Sequence, residues 1–210
     1  MNVLVIGANG QVGKHIIHKL KDSEHEPVAM VRKTDQIPQF EDLGVKTVLG
    51  DLEKDFENAY LGIDAVIFAA GSGPHTGADK TILIDQEGAI KAIDRAKHFG
   101  VQRFILLSTM GADRPEIGPD DFKFYLYAKH RADEYLKTSG VNYTILRPGG
   151  LTDEKGTGKV KLQDHINDFG EIPREDVADV LVQLLSWDNA ENRGFDLISG
   201  DQSLEDVLSH

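Results

Sequence analysis

The chain has 210 residues, of which 35 are acidic and 23 are Lys or Arg, giving a formal net charge of −12. This length suits one domain with a substantial core better than two, and such a charge argues against a nucleic-acid partner, which needs concentrated Lys and Arg. The absence of cysteine excludes disulfides, thiolate zinc sites and a cysteine nucleophile, and no apolar run reaches the length of a membrane span or signal peptide, so a cytoplasmic location with no membrane partner is expected.

Short apolar runs alternate with helical patterns along the whole chain. Strands are predicted at 3–6, 27–31, 46–49, 65–69, 103–107, 142–146 and 195–198, each β-branched and nearly continuous in apolar character, as strands covered on both faces are. Helices are predicted at 11–21, 36–43, 56–60, 79–99, 122–139 and 174–186. In the fourth, Ala89, Ile93, Ala96 and Phe99 share one face, with Lys91, Asp94 and Lys97 off it. Gly, Pro and Asp mark loops at 71–78 and 112–121. This alternation predicts an α/β fold: a doubly wound parallel sheet, the Rossmann fold, of about seven strands with helices on both faces. Ligands bind such sheets beyond the carboxyl ends of the strands, where strand order reverses, so the chemistry is expected just after strands.

The first strand runs directly into Gly7-Ala8-Asn9-Gly10-Gln11-Val12-Gly13. This arrangement suits a dinucleotide pyrophosphate. Gly7 permits a tight turn, and Gly10 lets the backbone approach the phosphates. Gly13 lets the helix lie against the sheet, with the N–H groups around Asn9, Gln11 and Val12 aimed at the anion. The first glycine spacing is one residue longer than in G-x-G-x-x-G. After the second strand stand Arg32 and Lys33, with Asp35 the nearest carboxylate downstream. Cations there accept a ribose 2′-phosphate, whereas a carboxylate would bind the 2′-hydroxyl. NADP is therefore expected in preference to NAD.

Tyr125 and Lys129 are four apart and share one face of their predicted helix. A neighbouring ammonium favours the phenolate, so Lys129 is expected to lower the Tyr125 pKa from about 10 and make it a usable acid or base. Hydride transfer from a nicotinamide to a carbonyl requires such a partner, because charge develops on the oxygen. Lys129 is also placed to bond the nicotinamide ribose, and Ser108 or Thr109, ending the fifth strand, to orient the carbonyl oxygen. Tyr127, two residues on, is expected to point elsewhere and pack.

Taken in order, the opening glycine turn, Ala69-Ala70-Gly71, Leu107-Ser108-Thr109, Tyr125-x-x-x-Lys129 and residues 143–150 (YTILRPGG) resemble the short-chain dehydrogenase/reductases. Asp85-x-x-Gly88, Ile93-Asp94-x-Ala96-Lys97 and Gly100-Val101-x-Arg103-Phe104 are similar to their sugar-nucleotide epimerase relatives. Arg174-Glu175-Asp176-Val177-Ala178 resembles the small atypical, NmrA-like branch. The resemblance implies pyrophosphate roles for Gly7, Gly10 and Gly13, and a 2′-phosphate role for Arg32. It further implies an adenine border at Asp51 and Leu52, a cofactor lining at Ala69, Ala70 and Gly71, and a nicotinamide-side position for Pro148 and Gly149. An alignment that places Met110 at the family's serine competes with Ser108 for that role. The implied activity is an NADP-dependent oxidoreductase acting on a small carbonyl or quinone-like molecule. The alternatives are an epimerase or dehydratase, for whose usual substrate lobe the C-terminal part is short, and a non-catalytic NADP redox sensor. Neither a monomer nor a homodimer is favoured.

Other polar residues carry blander expectations. His15 and His18 lack a convergent carboxylate and are expected at the surface, and His75 is expected to decorate its loop. His130 points about 100° away from Lys129 around the helix and has no catalytic part. Asp113, Asp120 and Asp121 match no calcium loop, Trp187 is expected to pack at a helix end, and no metal site is expected.

Overall fold

The computed structural model describes residues 1–73 and 76–209; the expectation for His75 lies outside them. The elements run β1 (Asn2–Ile6), α1 (Gln11–Lys21), β2 (Glu26–Val31), α2 (Pro38–Glu41), β3 (Lys46–Leu49), β4 (Ala65–Phe68) and α3 (Ala78–Lys80). A π-helical stretch, Thr81–Gln86, joins α3 to α4 (Glu87–His98), followed by β5 (Arg103–Leu107), α5 (Lys123–Thr138), β6 (Tyr143–Pro148) and β7 (Gly150–Thr152). The chain closes with β8 (Lys159–Gln163), β9 (Glu171–Pro173), α6 (Arg174–Gln183), β10 (Arg193–Ser199), β11 (Gln202–Ser203) and α7 (Leu204–Leu208).

Among the described residues the main sheet has nine strands in the order β11-β8-β10-β6-β5-β4-β1-β2-β3, parallel from β10 to β3. The seven predicted strands are all present. The expectation of about seven falls short because β8 and β11 extend the sheet beyond β10, each antiparallel to the strand before it in the sheet, while β7 and β9 pair separately. β8 reads Lys159-Val160-Lys161-Leu162-Gln163, an alternation with no continuous apolar run. The predicted helix at 36–43 shrinks to a short turn and α2, and the one at 56–60 is a 3-10 turn.

Strand pleating divides the core in two. Val3, Val5, Ile105, Leu107 and Leu146 face α1 and α6, while Leu4, Ile6, Phe104, Leu106 and Ile145 face α4 and α5. Helix α1 buries Val12, Ile16, Ile17 and Leu20, a stripe at helical spacing, and each such fully buried aliphatic contributes about 1.5–3 kcal/mol. The same alternation decides where the polar groups fall. Ser108 lies one pleat beyond Leu106, and Arg147 one pleat beyond Ile145, so both point toward the α5 side. Strand order reverses between β1 and β4, which sets the loops after these two strands side by side. Among the described residues no helix is long and apolar enough to cross a membrane.

Candidate active site

The turn after β1 is built from glycine for reasons visible in its contacts. Gly7 has φ +90°, and a Cβ there would lie 2.6 Å from the Ala70 backbone nitrogen beyond β4. A Cβ on Gly13 would lie 2.1 Å from the Gly7 carbonyl oxygen, so α1 rests directly on the turn. Gly10 N–H closes the turn by donating to the Gly7 carbonyl at 2.9 Å. Helix α1 then starts from an extended Gly10 with no side-chain cap and no acidic residue in its first turn. Bare backbone, uncapped N–H groups and a positive helix terminus fit a nucleotide phosphate.

The end of β2 is tied to this turn by two glutamines. Gln36 Oε1 accepts the backbone N–H groups of Arg32 and Lys33 at 3.0 and 3.1 Å, and Gln39 Nε2 donates to Asn9 Oδ1 at 2.8 Å. Both cationic side chains are exposed beside the glycine turn. Asp51 Oδ1 accepts the Glu53 N–H at 3.1 Å. Leu52 buries its side chain under α4, where a Cβ on Gly88 would come within 3.1 Å of it, which leaves its backbone to border a ligand.

Beyond β4, Ala69 and Ala70 are half-buried and Gly71 is exposed. The π-helical stretch turns Asp85 inward beneath this loop, where its Oδ2 accepts the Ser72 N–H at 2.9 Å. Such local unwinding commonly marks functional sites. Asp85 Oδ1 lies 4.0 Å from Lys129 Nζ, both groups almost wholly buried, and Lys129 donates to the Leu107 carbonyl at 2.8 Å.

Tyr125, Lys129 and Asp133 fall at successive i,i+4 positions on α5, so one stripe of the helix faces the end of β5. Ser108 Oγ donates to Asp133 Oδ2 at 2.9 Å, and Asp133 Oδ1 is buried with no hydrogen-bond partner among the described residues. Burial pushes the Asp133 carboxyl up to about 6, against the pull of Ser108, Lys129 and Arg147. Burial likewise raises the Tyr125 phenol above its ordinary value. Lys129 does pull it down as expected, yet desolvation, helped by Asp85 and Asp133, outweighs the ammonium. The expected lowering is therefore reversed. Thr109 is half-buried beside Ser108, and its carbonyl accepts the Ala112 N–H at 3.1 Å. Sequence reasoning missed Asp133; its one available signal was the i,i+4 spacing from Lys129.

A family model described as NAD(P)H-binding matches residues 7–188. The chain belongs to that NAD(P)H-binding family. It is 44% identical over 99% of both chains to a Bacillus subtilis (strain 168) protein named "Uncharacterized sugar epimerase YhfK". A Bacillus halodurans structure carrying the provisional name NAD-dependent epimerase/dehydratase superposes with a TM-score of 0.97 at 46% identity, covering 100% of this chain and 99% of that one. The oxidoreductase ylbE of Lactococcus lactis superposes with a TM-score of 0.88 at 33% identity, over 100% and 95% of the two chains.

In this family member the segment after β6 is held by packing. A Cβ on Gly149 would lie 2.1 Å from the Gly170 carbonyl oxygen, and Gly149 N–H donates to the Leu197 carbonyl at 2.9 Å. Pro148 is buried, its carbonyl accepting the Met110 N–H at 2.9 Å. These contacts account for the glycine without a ligand. Buried Arg147 pairs with buried Asp196 at 2.8 Å, and Asp196 faces His165 at 3.3 Å; His165 also meets Asp113 and Arg114. His130 Nδ1 meets the Ala112 carbonyl at 2.7 Å, and Trp187 stacks near Phe195 with ring centroids 5.4 Å apart. Tyr127 points away from Tyr125 as its spacing requires, but it is 50% exposed instead of packed. Its side of α5 faces outward, and among the described residues none covers the ring enough to bury it.

Proposed function

We propose that this protein is a single-domain, NADP-dependent oxidoreductase of the short-chain dehydrogenase/reductase kind, reducing a small carbonyl or quinone-like acceptor. The observation that carries the reading is the Tyr125–Lys129 stripe of α5 meeting the end of β5, on the same sheet edge as the glycine turn. The backbone of Gly7, Asn9, Gly10, Gln11, Val12 and Gly13 holds the pyrophosphate, and Arg32 and Lys33 take the 2′-phosphate. Ala69, Ala70 and Gly71 line the passage toward Tyr125, with the backbone of Asp51, Leu52, Pro148 and Gly149 at its margins.

When bound, the cofactor supplies a hydride to an electrophilic carbon. Tyr125 gives its hydroxyl proton to the acceptor oxygen as the carbonyl π electrons move onto that oxygen, and solvent returns the proton to the phenolate. With its affinity for the proton raised instead of lowered, the phenol stays protonated at neutral pH, the state a proton donor needs. Lys129 stabilises the phenolate formed in that step, and Ser108 or Thr109 steadies the oxygen.

The epimerase names of two relatives favour a second reading, in which one substrate gives up and recovers the hydride. Binding titrations with NADPH and NADH, followed by nicotinamide absorbance with aldehyde and quinone acceptors, separate the possibilities. Tighter NADPH binding and net NADPH consumption support the proposal. Binding without consumption points to an epimerase or a sensor, and equal or tighter NADH binding removes the NADP assignment. Tyr125→Phe should lower turnover by about 10²–10⁴-fold with cofactor affinity retained; undiminished turnover would eliminate the proton-donor role.

A further inference from the structure

The bond between Ser108 and Asp133 has a direction, and that direction depends on a proton. Asp133 is 1% exposed on α5, and Ser108 is buried at the end of β5. Their oxygens lie 2.9 Å apart, while among the described residues the second carboxyl oxygen of Asp133 has no hydrogen-bond partner. A buried carboxylate with one bare oxygen is poorly stabilised, whereas a neutral carboxylic acid tolerates an idle carbonyl oxygen far better.

The surrounding charges do not fully compensate Asp133. On its own helix it faces Lys129 and Lys137, with Tyr125 two turns away. Lys129 also faces Asp85 from the π-helical stretch, and donates to a backbone carbonyl. From β6 comes Arg147, already paired with Asp196 of β10, which in turn meets His165. Lys129 and Arg147 are thus each shared with another carboxylate, and Lys137 pairs with Glu134.

We propose that Asp133 is a positioning residue that sets which way the Ser108 hydroxyl points. Ionised, Asp133 can only accept, so Ser108 turns its proton inward and offers lone pairs to the site. Protonated, Asp133 donates to Ser108 Oγ, and the Ser108 proton turns outward to donate to the oxygen of a carbonyl acceptor. Carbonyl reduction therefore favours the protonated form. Because burial holds this carboxyl at about 6, turnover should fall above that pH, approaching tenfold per unit where only the protonated form is active. The inference rests on the reductase reading for its kinetic consequence, but not for the proton itself.

The test pairs infrared titration of the full-length protein with pH profiles of NADPH oxidation by phenanthrenequinone. Expected are a protonated-carboxyl band that vanishes with a midpoint near 6, is missing in Asp133→Asn, and shifts in frequency in Ser108→Ala. Turnover of the wild type should break at the same pH. Asp133→Asn, whose amide donates permanently to Ser108, should show a flat profile near the acid-side rate. A wild-type protein with no titrating carboxyl between about pH 5 and 8 overturns the proposal, as does a break that persists in Asp133→Asn. If no quinone or aldehyde is reduced at any pH, the reductase reading fails, and the infrared band with its Ser108→Ala shift still decides the buried bond on wild-type material.

Discussion

Replacing Asp133 by Asn should change how stability depends on pH, whatever the protein reduces. The carboxyl is wholly buried, and its affinity for a proton rises from 3.8 in the unfolded chain to about 6 in the fold. At about 1.36 kcal/mol per pKa unit, the difference corresponds to roughly 3 kcal/mol. The sign follows from which state binds the proton more tightly. Here the folded state does, so the stabilisation is fully present below the unfolded value and is lost as pH rises through 6. Asparagine is nearly isosteric and carries no charge, so it escapes this loss. Between about pH 4 and 8 the stability of Asp133→Asn relative to wild type should improve by roughly 2–3 kcal/mol, or about 5–10 °C in Tm for a chain of this size. Urea denaturation at several pH values across that range measures it directly. A stability gap that stays constant with pH would mean that the carboxylate is compensated in the fold, and the argument from burial would fail.

Gly13→Ala places a methyl 2.1 Å from the Gly7 carbonyl oxygen and 2.9 Å from Ala8 backbone atoms. It should destabilise the protein by about 1–3 kcal/mol and weaken NADPH binding at least about tenfold, as read by denaturation and fluorescence titration; unchanged binding would remove the turn from the phosphate site. Arg147→Met leaves Asp196 buried without its ion pair and should cost about 3–5 kcal/mol, whereas Arg147→Met with Asp196→Leu should recover most of that loss. Equal unfolding midpoints for the single and double variants would show that the pair is not the cause.

What the amino-acid order determined by itself is local. The apolar runs of β1, β2, β4, β5 and β6 announce strands covered on both faces, and α1 follows from its buried stripe. Gly7 and Gly13 mark a turn that no Cβ could enter, and the four-residue spacing of Tyr125 and Lys129 puts them on one helical face. What only the tertiary structure decided is which groups meet across elements and how dry they are. That the Leu52 side chain lies under α4 shows only in the fold, and Ser108 reads as an open hydroxyl until α5 brings Asp133 against it. For Tyr125 the two levels disagree in sign: spacing supplies a nearby ammonium that lowers the pKa, while packing removes the water and raises it further. Desolvation sums over every neighbouring element, and that sum exists only once helix and sheet have closed on each other.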